Sequence, residues 1–103
     1  MGYRAHVQSK HIVEYGGRCH FNCKQEQIYD WLCANGVNIY GDDTYCKGNE
    51  WEIDKDELRA IPDEAYAPIH EGTDNEIFAE ELRDFVNDCL AAPTWQYAYV
   101  SWF

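Results

Sequence analysis

The chain has 103 residues, enough for one domain and too few for two. Hydrophobic residues make up 46% and aromatics 16%, which excludes a disordered tail and implies a folded core. With 19 acidic residues against 8 basic ones the formal charge is −11, a field that repels bare nucleic acid and anionic membrane and suits a basic partner.

The charge is unevenly placed. Residues 1–41 hold four basic and three acidic residues, residues 42–92 hold four basic and sixteen acidic, and residues 93–103 hold none. No apolar run approaches the roughly 18 residues of a bilayer span. The opening residues show no apolar signal-peptide core, and His6 stands where a myristoylation pattern needs Ser or Thr. Five cysteines, an odd number without a secretion signal, point to reduced thiols in a cytoplasmic protein.

In chain order, Tyr3 to Tyr15 reads as extended. Tyr3, Ala5 and Val7 alternate with Arg4, His6 and Gln8, the period of a half-buried strand. Gly16-Gly17 reads as a hairpin turn and Arg18 to Phe21 as the returning strand. Asn22, with Gln25 in capping-box spacing, opens a helix over 23–34 whose apolar face is Ile28, Trp31 and Leu32; Asn35-Gly36 stops it.

Val37 to Tyr40 is a short strand. Gly41-Asp42-Asp43 and Lys47-Gly48-Asn49 are turns bracketing Thr44 to Cys46, and Glu50 to Ile53 is another strand with Trp51 and Ile53 on one side. Asp54 with Glu57 forms a second capping box, opening a short helix from Lys55 to Ile61 that Pro62 ends. Asp63 to Gly72 is a loop with room for one helical turn. Thr73 with Glu76 forms a third box, opening a helix over 74–91 with the stripe Ile77, Phe78, Leu82, Phe85, Val86, Cys89 and Leu90. After Pro93, Thr94 to Phe103 is a strand. Its apolar residues on both faces imply either a covered central strand or an exposed aromatic binding face. The whole is an α+β domain: a small, mainly antiparallel sheet with an N-terminal hairpin, two main helices, one short helix and a C-terminal aromatic strand.

The chemistry lies in the charge pattern. Glu76, Glu80, Asp84 and Asp88 are spaced by four and share one helix face opposite the apolar stripe. Four residues of helix rise about 6 Å, close to the spacing of phosphates along one nucleic-acid strand. Asp63 and Glu64 widen the patch. Such a row also arises as a plain solvated face, but those usually mix signs, and here only Arg83 interrupts. Tyr66, Trp95, Tyr97 and Tyr99 are candidate buried anchors. Tyr97 and Tyr99 could stack bases, but that mode needs a basic groove, so no direct nucleic-acid binding is expected.

Metal ligation has four candidates, Cys19, His20, Cys23 and Cys46. A zinc site needs two close-spaced pairs converging in a tetrahedron, and only Cys19 and Cys23 form one, so no metal or cofactor is expected. Neither a nucleophile elbow nor a phosphate loop nor a dinucleotide fingerprint occurs, so the reading is not an enzyme.

In size, acidity and lack of catalytic motifs the chain resembles the small acidic accessory inhibitors of phages and mobile elements, of the anti-CRISPR and DNA-mimic kind. The resemblance implies a stoichiometric inhibitor whose partner is a basic nucleic-acid-binding host protein, met in the host cytoplasm. Two alternatives remain: a regulatory or structural module that forms a homodimer through its C-terminal strand, and a zinc-stabilised domain.

Overall fold

A computed structural model describes residues 4–8, 19–21, 24–41 and 50–102. The Gly16-Gly17 turn, Asn22 with Cys23, the segment 42–49 with Cys46, and Phe103 lie outside the described residues. Five strands are present: β1 (Ala5–Gln8), β2 (Cys19–His20), β3 (Ile39–Gly41), β4 (Glu50–Asp54) and β5 (Tyr97–Trp102). They form one sheet in the order β2-β1-β5-β4-β3, and every neighbouring pair is antiparallel.

The C-terminal strand is therefore central. Ala98, Val100 and Trp102 point to the core, flanked by Val7 and Ala5 of β1 and by Ile53 and Trp51 of β4. Tyr97 and Tyr99 fall on the other face and stay half-exposed. The strand begins at Tyr97 and not at Thr94. Thr94 Oγ1 instead donates to Tyr97 O at 2.6 Å, and the Trp95 side chain stands 94% exposed. Paired with β1 along Tyr99–Trp102 and with β4 along Tyr97–Ser101, β5 is an interior strand of the described sheet and not an edge.

Three helices cover the core face: α1 (Gln25–Ala34), α2 (Lys55–Arg59) and α3 (Ala79–Ala91). The first ends in a Schellman motif. Gly36 takes φ +81, its N–H reaches Cys33 O, and the Val37 N–H reaches Leu32 O, with both apolar side chains buried. Its start differs from the expected Asn22 cap: Lys24 holds the N-cap position and supplies no side-chain acceptor. At α2, Asp54 does cap, accepting from Asp56 N at 2.8 Å. Glu57 does not close the box. Its carboxylate accepts from Asn38 N and Nδ2 at 2.9 and 3.0 Å, tying α2 to the entry of β3. The helix stops at Arg59, and Ile61 is buried beyond it.

The long helix begins five residues later than its sequence pattern suggests. Thr73 Oγ1 donates to His70 O and accepts from Asn75 N, making a turn that competes with a helix cap. Ile77 then pairs with Ile69 in an antiparallel bridge, and α3 starts after Phe78. Glu81 Oε1 accepts from Phe78 N at 2.9 Å, which is half of a capping box. Phe78, expected in the apolar stripe, is 55% exposed; Leu82, Phe85, Val86 and Cys89 are buried. Between α2 and α3 a single 3-10 turn, Asp63–Ala65, occupies the expected loop.

The core joins Ile28, Trp31 and Leu32 of α1, Leu58 of α2 and the stripe of α3 to the inner face of the sheet. Trp51 and Trp102 meet in a tilted contact at 5.0 Å, and Phe21 meets Phe85 edge-on at 5.1 Å. Phe21 reaches that position with φ +56, a left-handed backbone that costs energy in a residue with a side chain and is offset by burying the ring. Trp51 Nε1 is buried with no acceptor among the described residues.

Lys55 is the buried cation, 3% exposed, and its ammonium donates to Ala92 O and Thr94 O, each at 2.7 Å. No basic residue occupies the last turn of α3, so Lys55 supplies the missing positive charge at that carbonyl end. Burial, aided by Arg59 and opposed by Cys89, lowers its pKa below 10.5. Lys55→Met is expected to cost about 2–4 kcal/mol in urea unfolding, because two carbonyls lose a charged donor. The deficit should widen as pH rises toward 10.5. Over that window the unfolded wild type binds more protons than the folded one, so wild-type stability gains with pH while the variant lacks the term.

Candidate protein-binding surfaces

The predicted acidic row does not survive as a row of four. Only Glu80, Asp84 and Asp88 share the face of α3. Glu76 precedes the helix, half-buried, and its carbonyl accepts from Lys24 Nζ at 2.9 Å. Asp88 is also only half-exposed: its Oδ2 lies 2.7 Å from His20 Nε2, whose side chain is 7% exposed. This tie fastens the edge strand β2 to α3. It also places a histidine beside a carboxylate in the last helical turn, where the macrodipole disfavours an anion. The His20 ring packs on Phe21 and Phe85 as well.

Glu80 and Asp84 are exposed, and so are Asp63 and Glu64 at the neighbouring 3-10 turn. Between them Arg83 lies over the Tyr66 ring, its guanidinium carbon 4.3 Å from the centroid, with Nη2 3.7 Å from Asp63 Oδ1. Beneath, Trp31 packs on Tyr66 and donates Nε1 to Ala65 O at 3.2 Å. Tyr66 is thus half-buried under its own chain's arginine and is not a free anchor. Burial pushes its phenol pKa up, against the pull of Arg83.

Tyr97 and Tyr99 belong to a different surface, the outer face of the sheet, where both are half-buried and Ser101 on the same face is 4% exposed. Register places Tyr40, Glu52 and Tyr99 in one row across β3, β4 and β5, with Asp54 beside Tyr97 in the next row. Glu50 stands opposite Ser101. Tyr40 is 50% exposed and meets Tyr97 edge to face, at 6.4 Å and 85°. Desolvation, then Asp54, Tyr40, Glu52 and Glu57, raise the Tyr97 pKa, so the electrostatic field there is negative. Gln96 Nε2 donates to Asp54 at 2.7 Å and to Asp56 at 3.1 Å, holding the strand approach that carries exposed Trp95 against α2.

Among the metal candidates, His20 is engaged with Asp88, Cys23 and Cys46 lie outside the described residues, and no three metal-ligating side chains converge among the described ones. Nor is any described helix long and apolar enough to cross a membrane. Comparison of the chain with protein-family models, curated proteins and solved structures finds no match.

The ten expected partner-binding residues thus divide, with Trp95 standing alone, 94% exposed, on the approach to β5. Asp63, Glu64, Glu80 and Asp84 form a helix-side patch, Tyr97 and Tyr99 join the sheet face, and Tyr66, Glu76 and Asp88 hold internal contacts. The sequence reading missed Tyr40, Glu50, Glu52 and Asp54. Their signal was the alternation that sets Trp51 and Ile53 inward and leaves three acids outward.

Asp88→Asn is expected to lower the urea midpoint, costing about 1–2 kcal/mol through the weakened histidine pair. Glu80→Gln should leave the midpoint unchanged. Equal effects would place Asp88 among the plain surface acids.

Proposed function

We propose that the chain is a non-enzymatic protein-binding inhibitor. Its acidic surface would occupy the basic nucleic-acid-binding site of a host defence protein, in the host cytoplasm, as the resemblance to phage-borne acidic inhibitors implies. One observation carries the reading. Among the described residues, four cations are engaged by the chain itself: Lys24 with Glu76 O, Lys55 with Ala92 O and Thr94 O, Arg59 with Asp56 at 2.9 Å, and Arg83 with Tyr66 and Asp63. The carboxylates Glu64, Glu71, Asp74, Glu80 and Asp84 are exposed and carry no such engagement of a cation, so the described surface is predominantly negative.

A site selected to hold phosphates would also hold such carboxylates, with counter-ion release and fast, salt-sensitive association. The shortened acidic row limits the mimicry to a patch and not a strand-length ladder. Self-association is the weaker reading, because β5 has no free edge and like charges face each other in a symmetric pair.

The test is capture from host lysate with the purified chain as bait, eluted by salt or by competing nucleic acid. The expected partner is a nucleic-acid-binding enzyme released by both. Glu80→Lys with Asp84→Lys should weaken that complex at least about tenfold, by charge reversal at the contact, with circular dichroism unchanged. Unaltered binding by the double variant would remove the helix-side patch from the account, and a partner indifferent to salt would contradict the electrostatic mechanism.

A further inference from the structure

We infer that Trp95 is the apolar anchor of the partner interface, presented on a braced turn and inserted into an apolar slot of a basic protein whose rim carries lysine or arginine. The inference rests on the proposed function in taking the partner to be a basic protein. It assigns the anchoring to the turn before β5 and not to α3.

Three observations support it. First, Trp95 is 94% exposed, the most exposed large apolar side chain among the described residues, while Trp31, Trp51 and Trp102 are all buried. An indole removes a large apolar area from water when it is covered, and tryptophan is enriched among the residues that dominate interface energetics.

Second, the backbone on either side of this indole is fastened. Thr94 O accepts from Lys55 Nζ at 2.7 Å, and Thr94 Oγ1 donates to Tyr97 O at 2.6 Å. Gln96 O accepts from Lys55 N at 2.9 Å. Gln96 Nε2 donates to Asp54 Oδ1 at 2.7 Å and to Asp56 Oδ2 at 3.1 Å. Lys55, itself buried, thus holds both chain neighbours of Trp95. Pro93 restricts φ just upstream. The turn is ordered before any partner arrives, so docking through the indole forfeits little backbone entropy.

Third, the surroundings select the partner's charge. Asp54 and Asp56 are joined to the turn through Gln96, and Glu57 follows them in the first turn of α2. Among the described residues of this corner the exposed cation is Arg59, already paired with Asp56 at 2.9 Å. Three carboxylates against one exposed cation leave the corner negative. A second copy would bring like charges together, and the same charges repel an anionic membrane. A protein slot with a basic rim accepts the indole at its centre and the carboxylates at its edge.

The experiment is photo-crosslinking in host lysate with two full-length chains, one carrying Trp95→p-benzoylphenylalanine and the other Glu80→p-benzoylphenylalanine. Position 95 is expected to link to a nucleic-acid-binding protein at an apolar segment flanked by lysine or arginine. Trp95→Ala should retain that protein at least about thirtyfold less tightly, as for an anchoring tryptophan. Its urea midpoint should be unchanged, because the side chain is exposed. In the free protein the heteronuclear NOE of Thr94 to Gln96 should equal that of β5, and values as low as those of a chain terminus would overturn the braced turn. Links from position 80 alone, with binding by Trp95→Ala undiminished, would overturn the inference and leave the proposed function standing. A link from position 95 to a second copy, or to a site without lysine or arginine, would overturn the choice of partner. No link from either position would overturn both readings.

Discussion

The hydrogen bonding of β5 on both of its edges is the constraint from which the rest follows. Its six residues link the N-terminal hairpin on one side to β4 and β3 on the other. Because side chains alternate, one strand both seeds the core with Ala98, Val100 and Trp102 and presents Tyr97 and Tyr99 outside. All the helical apolar faces then gather on the first side. The second side carries Tyr40, Tyr97 and Tyr99 with Glu50, Glu52 and Asp54, half-exposed at Tyr97 and Tyr99 and buried at Ser101.

The same economy governs charge. A protein of net charge −11 must place its few cations carefully. Lys55 closes the carbonyl end of α3 from within the core, and Lys24 caps the carbonyl of Glu76. Arg83 covers Tyr66, which in turn packs on Trp31 and fixes the loop before α3. These contacts stabilise the fold, and Lys55 is withdrawn from the surface while Arg83 stays half exposed.

Much of the fold was legible in the residues. Period-two alternation located β1, β4 and β5, and the Asn35-Gly36 pair marked the end of α1 through a backbone that glycine accepts. What escaped was decided by competition between local options. Thr73 turns back to His70 and Asn75 where its spacing to Glu76 suggested a cap, which removes Glu76 from the acidic row. Glu57 reaches across to Asn38, a partner 19 positions away that no local pattern reveals. The pairing of His20 with Asp88 and the stacking of Arg83 on Tyr66 are likewise long-range, so two expected surface residues became structural ones. Composition marked the chain as acidic, but only strand register showed which acids stand beside which tyrosines.

The helices cover one face of the sheet while Tyr40, Tyr97 and Tyr99 keep access to solvent on the other, and hydroxyl-radical footprinting of the free protein tests this directly. The account predicts ready oxidation of Tyr40 and Trp95, measurable oxidation of Tyr97 and Tyr99, and protection of Trp51 and Trp102, which are 3% and 1% exposed. Protection of all three tyrosines to the level of Trp102 would contradict it, since the sheet would then be covered on both faces.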